Sequence, residues 1–206
     1  MAKDVEKLHG TTTVGIVADD CVVLAAETKA TIGNLIASKE DKKIYKIDDR
    51  VAMTTCGGAG DAQQAVRIMK AEINLYKLER GEMTVNAIVT LLANILQSSK
   101  AVPYIIMPII GGVDSKGRHV FSVDPVGGIT EDKFMSTGSG SPVAFGVLEA
   151  GYKDGMTMDE AVGLAVRSIR SARERDIYSG GKRIDVAVIS QKGVRFLSQE
   201  DVNSFV

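Results

Sequence analysis

The hydrophobic period of this 206-residue chain changes from two to 3.6 and back, twice, and that ordering constrains the fold more than any other feature. Thr12 to Ala18 and Cys21 to Glu27 read as short strands, joined at Asp19-Asp20 by a tight hairpin. After a polar stretch, the alternation in Lys42-Lys43-Ile44-Tyr45-Lys46-Ile47 predicts a half-buried strand. Val51 to Cys56 predicts another, stopping at Gly57-Gly58-Ala59-Gly60. From Asp61 the period becomes helical: Ala62, Ala65, Val66, Met69, Ile73 and Tyr76 share one face as far as Arg80-Gly81. A second helix, Thr84 to about Ser99, carries Ile88, Leu91, Leu92, Ile95 and Leu96 with no charge before Lys100, which predicts burial between layers.

The pattern then repeats. Tyr104 to Val113 and His119 to Asp124 predict a hairpin around Asp114-Ser115-Lys116-Gly117. Ser136-Thr137-Gly138-Ser139-Gly140-Ser141-Pro142 reads as a loop feeding a helix, with proline suited to its first turn. Thr157-Met158-Asp159-Glu160 is a capping box, opening a helix with Ala161, Ala165, Ile169 and Ala172 inward. Its end, Arg175 to Gly181, reads as a glycine C-cap. Arg183 to Ser190 and Val194 to Leu197 predict two strands, followed by a short helix near Gln199. Strand groups flanking helix pairs imply an α+β fold, a four-layer αββα sandwich of two antiparallel sheets with helices outside, in a single domain.

Bulk properties exclude several classes. With 45% hydrophobic and 25% charged residues the chain is neither disordered nor fibrous. A net charge of −1 leaves no basic field for nucleic acid. No apolar run reaches the ~20 residues of a membrane helix. The polar segment Met1 to Gly10 has no apolar core, so it is no secretory signal and fits a removable leader. Cys21 and Cys56 lie in apolar runs and read as buried thiols. A cytoplasmic protein is the expectation.

The chemistry concentrates at Gly10-Thr11. A glycine before a threonine run is most often a strand start, but cutting that bond would leave one residue holding a hydroxyl nucleophile and, in its α-amino group, a base. Such a threonine needs a nearby ammonium to keep the amine neutral and a carboxylate to hold that ammonium. Lys43 and Glu27 are candidates, because the hairpin returns Glu27 beside Thr11 and Lys43 begins the next strand; on residue type alone each is more often a surface charge. The Gly57 to Gly60 run supplies candidate N–H donors for an oxyanion. A plain strand-to-helix turn or a phosphate loop also fits it, although the G-x-x-x-x-G-K-[ST] pattern is missing.

Taken together, Gly10-Thr11-Thr12-Thr13-Val14-Gly15, Gly60-Asp61-Ala62-Gln63, Ser136 to Pro142, Arg175-Asp176 through Ser179-Gly180-Gly181, and Ile184 to Ile189 resemble the catalytic β subunits of the archaeal proteasome core particle, over nearly the whole chain and in order. The resemblance implies the N-terminal nucleophile hydrolase fold and a threonine endopeptidase that degrades unfolded proteins. Residues 1–10 would be an autocleaved propeptide and 11–206 the peptidase domain. Thr11 matches the nucleophile, Glu27 and Lys43 the pair that tunes it, and Gly57 the oxyanion donor. Ser139, Asp176 and Ser179 match the group that orders the threonine amine. Thr31, Gly57 and Ala59 match strand edges that hold extended substrate. The specificity pocket is expected to involve Ala30, Tyr45 and Thr55, whose neutral lining suggests cleavage after apolar residues.

No metal or organic cofactor is implied. The implied partners are α subunits, other β subunits in seven-membered rings, two β rings between two α rings, and a ring ATPase unfoldase. The alternative is an inactive structural ring subunit, against which the complete set of site residues argues, or more distantly a small-amide hydrolase, against which the late motifs argue.

Overall fold

The computed structural model describes residues 10–205, so of the proposed leader only Gly10 lies among the described residues. The first hairpin is β1 (Thr12–Val17) and β2 (Cys21–Glu27), closed where Ala18 N–H donates to the Cys21 carbonyl at 2.9 Å. Two strands follow in the stretch read as merely polar, β3 (Ala30–Ile32) and β4 (Leu35–Ser38). They pair only with each other and are largely exposed, so they carry no buried alternation from which to be recognised.

Next come β5 (Ile44–Asp48) and β6 (Val51–Thr54), then the long helix α1 (Ala59–Arg80) and α2 (Val85–Ser98). Thr84 caps α2, accepting from Ala87 N–H at 3.2 Å. The second hairpin is β7 (Ile109–Asp114) and β8 (Gly117–Val123), shorter at its start than the sequence suggests. It is followed by β9 (Ile129–Glu131) and β10 (Phe134–Gly138). The segment read as a loop from Ser136 is therefore strand as far as Gly138. Pairing with β1, with Thr13 opposite Thr137 and Val14 opposite Ser136, supplies backbone bonds that override the loop-like composition.

The chain continues through α3 (Ser141–Gly151) and α4 (Met158–Arg175), which opens on the Thr157/Glu160 capping box, to β11 (Ile184–Ser190), β12 (Gly193–Phe196) and α5 (Gln199–Asn203). The C-cap of α4 is Asp176 in an extended conformation, not the expected glycine.

One sheet has the order β10-β1-β2-β11-β12 and the other β5-β6-β7-β8-β9, all antiparallel. Helices α3 and α4 cover the first, and α1 and α2 the second, giving the four αββα layers. The two-residue period of β2 decides its packing: Val23 and Ala25 face the α3/α4 layer, whereas Val22, Leu24 and Ala26 enter the core between the sheets. Leu24 is fully buried there, and it packs where Gly15 and Gly111 offer no side chain; a Cβ at either would approach it within about 3.1 Å.

Cys21 and Cys56 are both buried free thiols, and burial together with Asp20 pushes Cys21 up to about 12. Among the described residues no helix is long and apolar enough to cross a membrane, and no cluster of side chains is arranged to hold a metal ion.

Candidate active site

The sandwich gathers residues from both sheets at one end. Thr11 immediately precedes β1. Because β1 and β2 run antiparallel with Thr13 opposite Ala26, Glu27 at the end of β2 returns to Thr12. Lys43 comes from the other sheet, one residue before β5, and its carbonyl accepts Thr55 N–H at 2.8 Å. Thr11, Glu27 and Lys43 are all buried, Glu27 completely.

The three protons of the Lys43 ammonium are all used. One goes to Thr11 Oγ1 at 2.8 Å, one to Glu27 Oε1 at 2.5 Å and one to the Lys29 carbonyl. Glu27 is equally committed. Its Oε1 also accepts Thr12 N–H at 3.4 Å, and its Oε2 accepts Lys29 N–H at 2.6 Å and Gly180 N–H at 2.9 Å. Burial pushes the Glu27 carboxyl above its ordinary value, while Lys43 and the two backbone donors pull it down. A buried pair of this kind persists only with such full hydrogen bonding, because removing either partner strands a charge.

Around Thr11 a second network is built on Asp176, just beyond α4. Asp176 Oδ2 accepts from Ser139 Oγ and Ser179 Oγ, each at 2.6 Å. Ser139 Oγ in turn accepts Thr11 N–H at 3.3 Å, and Thr12 Oγ1 lies 2.6 Å from Ser179 Oγ. The hydroxyl of Thr11 donates to the Gly10 carbonyl. The Thr11 hydroxyl and the carbonyl of the Gly10-Thr11 bond are thus in contact. Gly10 itself is wedged, since a Cβ there would fall 2.6 Å from Thr31 Oγ1 and 3.0 Å from Tyr178 Cβ.

Thr11 opens onto a cleft of about 220 Å³ at the N-terminus of α1. Of the residues expected to hold substrate, Ala30, Thr31, Thr55, Gly57 and Ala59 line it. Gly57 has φ 105°, and a Cβ would stand 2.1 Å from the Ile105 carbonyl oxygen, so only glycine fits. The neighbouring residues make the backbone bonds to the facing segment: Gly58 N–H donates to the Ile105 carbonyl at 2.7 Å, and the Cys56 carbonyl accepts Met107 N–H at 3.2 Å. Gly57 N–H has no partner among the described residues and is a free donor in the cleft that Thr11 lines. The helix N-terminus adds a favourable field for negative charge.

Tyr45 stands apart. Its ring packs into the cluster beneath α1, its hydroxyl donates to the Lys42 carbonyl at 2.8 Å, and it is not part of the cleft wall. Asp41 is part of that wall and escaped the sequence reading, which therefore made the lining too neutral. Its position two residues before Lys43 was the available signal. Thr12, Lys29 and Gly180 also join the network, with no site role legible in the sequence, the last two because they act through backbone groups.

The family model described as "Proteasome subunit" matches residues 7–189. A proteasome subunit beta from Methanocaldococcus vulcanius is 50% identical over 204 residues, covering 98% of this chain and 91% of that protein. The proteasome subunit beta of Methanothermobacter thermautotrophicus is 48% identical over 200 residues, 97% of this chain and 95% of its own length. That of Methanosarcina barkeri is 51% identical over 199 residues, 96% of this chain and 94% of its own. With a matching family model over most of its length and half its residues shared with archaeal β subunits, the chain belongs to the proteasome subunit family, on its β side.

Proposed function

We propose that this chain is a threonine endopeptidase that exposes its own catalytic N-terminus by cutting Gly10-Thr11, then cleaves unfolded protein chains. The observation that carries the reading is Lys43 Nζ, held between Thr11 Oγ1 and Glu27 Oε1. An ammonium donating to a hydroxyl oxygen stabilises the alkoxide that must form as the hydroxyl attacks.

In the precursor the Thr11 hydroxyl attacks the Gly10 carbonyl carbon. The Oγ1–C bond forms, the C–N bond breaks, and the hydroxyl proton passes to the Thr11 nitrogen. Water then hydrolyses the ester, residues 1–10 leave with a Gly10 carboxylate, and the amine is free. In the mature enzyme that amine takes the Oγ1 proton, through a water, as a substrate carbonyl is attacked. Gly57 N–H donates to the developing oxyanion. The amine returns its proton to the leaving nitrogen, and a second water releases the acyl group. Ser139, Asp176 and Ser179 fix the orientation of the amine, as the Ser139 contact to Thr11 N–H supports. Extended substrate lies against the backbone of Thr31, Gly57 and Ala59. No step calls on a metal or organic cofactor.

Family membership implies assembly with other proteasome subunits. The finer proposal is a seven-membered β ring, two such rings between two α rings, fed in the cytoplasm by a ring ATPase unfoldase, with residues 11–206 as the peptidase domain. N-terminal sequencing of chains from active assembled particles tests the core of it: the sequence begins at Thr11, and active particles with intact leaders refute the reading.

A further inference from the structure

Behind Thr11, three buried threonines form a chain of hydroxyls that the mechanism above does not use. Thr13 and Thr54 are fully buried and Thr137 nearly so. Thr54, the last residue of β6, accepts Ile109 N–H at 3.1 Å and donates to Thr13 Oγ1 at 3.1 Å. The Thr13 proton is then left for Thr137 Oγ1, on its cross-strand partner in β10, at 2.8 Å. Thr13 belongs to one sheet and Thr54 to the other, so the chain crosses between them. Its surroundings are apolar: Ala26 stands opposite Thr13, Ile44 opposite Thr54, and both lie in the core between the sheets. Apolar contacts are non-directional and set the offset of two sheets less sharply than a hydrogen bond, which weakens steeply away from its preferred length and angle.

Both ends of this bridge are tied to the site. Thr12, between Thr11 and Thr13, donates its N–H to Glu27 Oε1 at 3.4 Å. On the other sheet, Thr54 pairs with Ile44, the residue after Lys43, and Thr55 N–H donates to the Lys43 carbonyl at 2.8 Å. A shift of Thr54 against Thr13 is therefore a shift of Lys43 against Thr11. The Lys43 ammonium, with all its protons committed, leaves little room for one.

We infer that Thr13 and Thr54 are positioning residues: the hydrogen bond between their hydroxyls fixes the offset of the two sheets that sets Lys43 Nζ against Thr11 Oγ1. This rests on the peptidase reading above and names what holds its nucleophile and ammonium in register. Neither hydroxyl bonds to Thr11, Lys43 or Glu27, so both act through the strands that carry them.

Valine keeps the shape of threonine without the hydroxyl, and serine keeps the hydroxyl without the methyl group. In assembled, fully processed particles, Thr13→Val and Thr54→Val are expected to lower kcat for a fluorogenic peptide about tenfold, part of what an ångström of misplacement costs. KM stays within about twofold of the parent. Cleavage of Gly10-Thr11 slows by a similar factor, because it uses the same Lys43 contact before the free amine exists. Thr13→Ser keeps kcat within about twofold of the parent although a buried methyl is lost. A merely structural role predicts instead that kcat per assembled particle is unchanged in the valine variants. Parental kcat in either valine variant, or a loss confined to KM, overturns the inference. So does a loss of about tenfold in Thr13→Ser, which decides the case by itself where the valine chains do not assemble. Parent particles that retain residues 1–10 and hydrolyse no peptide overturn the peptidase reading and this one together; processed, active parents whose valine variants keep parental kcat overturn this one alone.

Discussion

Lys43 Nζ lies 2.8 Å from Thr11 Oγ1 and 2.5 Å from Glu27 Oε1, so a buried ammonium from one sheet joins a hydroxyl and a carboxylate of the other. The geometry leaves the lysine no freedom, because its third proton is held by the Lys29 carbonyl. The arrangement is as demanding structurally as it is chemically.

Replacing Lys43 should therefore be severe. Lys43→Ala is expected to lower kcat for peptide hydrolysis by roughly a thousandfold, the scale of losing a donor to developing oxyanion charge. Lys43→Arg should restore little, because a planar fork cannot meet three acceptors placed around a point. Steady-state kinetics on assembled particles, with chain mass as a check on processing, decides this; near-parental rates in Lys43→Ala would return the lysine to a structural role.

Glu27 gives a pH dependence whose two signs differ. Burial raises its carboxyl, so the folded chain holds a proton that the unfolded chain releases near pH ~4.3. Its contribution to stability is thus full below that value and fades as pH rises through the higher folded value. In the proposed mechanism the Lys43 ammonium is held by the Glu27 carboxylate, so activity is expected to run the other way. On acidification, hydrolysis should fall before the fold is lost and recover on neutralisation. Parallel activity and circular dichroism profiles test this, and coincident loss of both would remove Glu27 from the explanation.

Gly10 sits 2.6 Å, measured from an added Cβ, from Thr31 Oγ1. Gly10→Val should push the scissile carbonyl away from Thr11 and slow processing about a hundredfold, the cost of an ångström-scale misplacement of reacting groups. Pulse-labelled precursor followed by gel or mass measurement reads the rate. Processing at the parental rate would show that the space around residue 10 yields.

Between the sheets, Leu24 fills the volume left by Gly15 and Gly111. Leu24→Ala should destabilise the chain by about 2–5 kcal/mol through lost burial and a cavity that backbone on both sides cannot close. Chemical denaturation of the parent and the variant measures it. A loss below about 1 kcal/mol would mean that the sheets collapse onto the gap.

Much of the fold was legible because its signals are local. The change of period at Asp61, the Thr84 cap and the Thr157/Glu160 box announce α1, α2 and α4 without reference to anything distant. Strands β3, β4 and β9 were not legible, being short and largely exposed. Nor was the strand character of Ser136 to Gly138, which depends on β1 lying beside it. At the site, side-chain chemistry named Thr11, Glu27 and Lys43 as candidates. Asp41 stayed hidden, since a carboxylate in a polar stretch looks like any solvated charge until its surroundings are known.

Local sequence sets where most helices and the buried strands begin, which faces are apolar, and which residue types could serve a threonine nucleophile. Those properties follow from periodicity, capping and reactivity within a few neighbouring residues. Tertiary structure alone decided which groups meet. Lys43 can be buried as an ammonium only because Thr11, Glu27 and Lys29 offer three acceptors at the end of the β1–β2 hairpin, and it reaches them only because its own sheet packs on that one. The same packing leaves Asp41 in the cleft wall without a paired cation among the described residues, because Lys29, Lys42 and Lys43 are held by other groups.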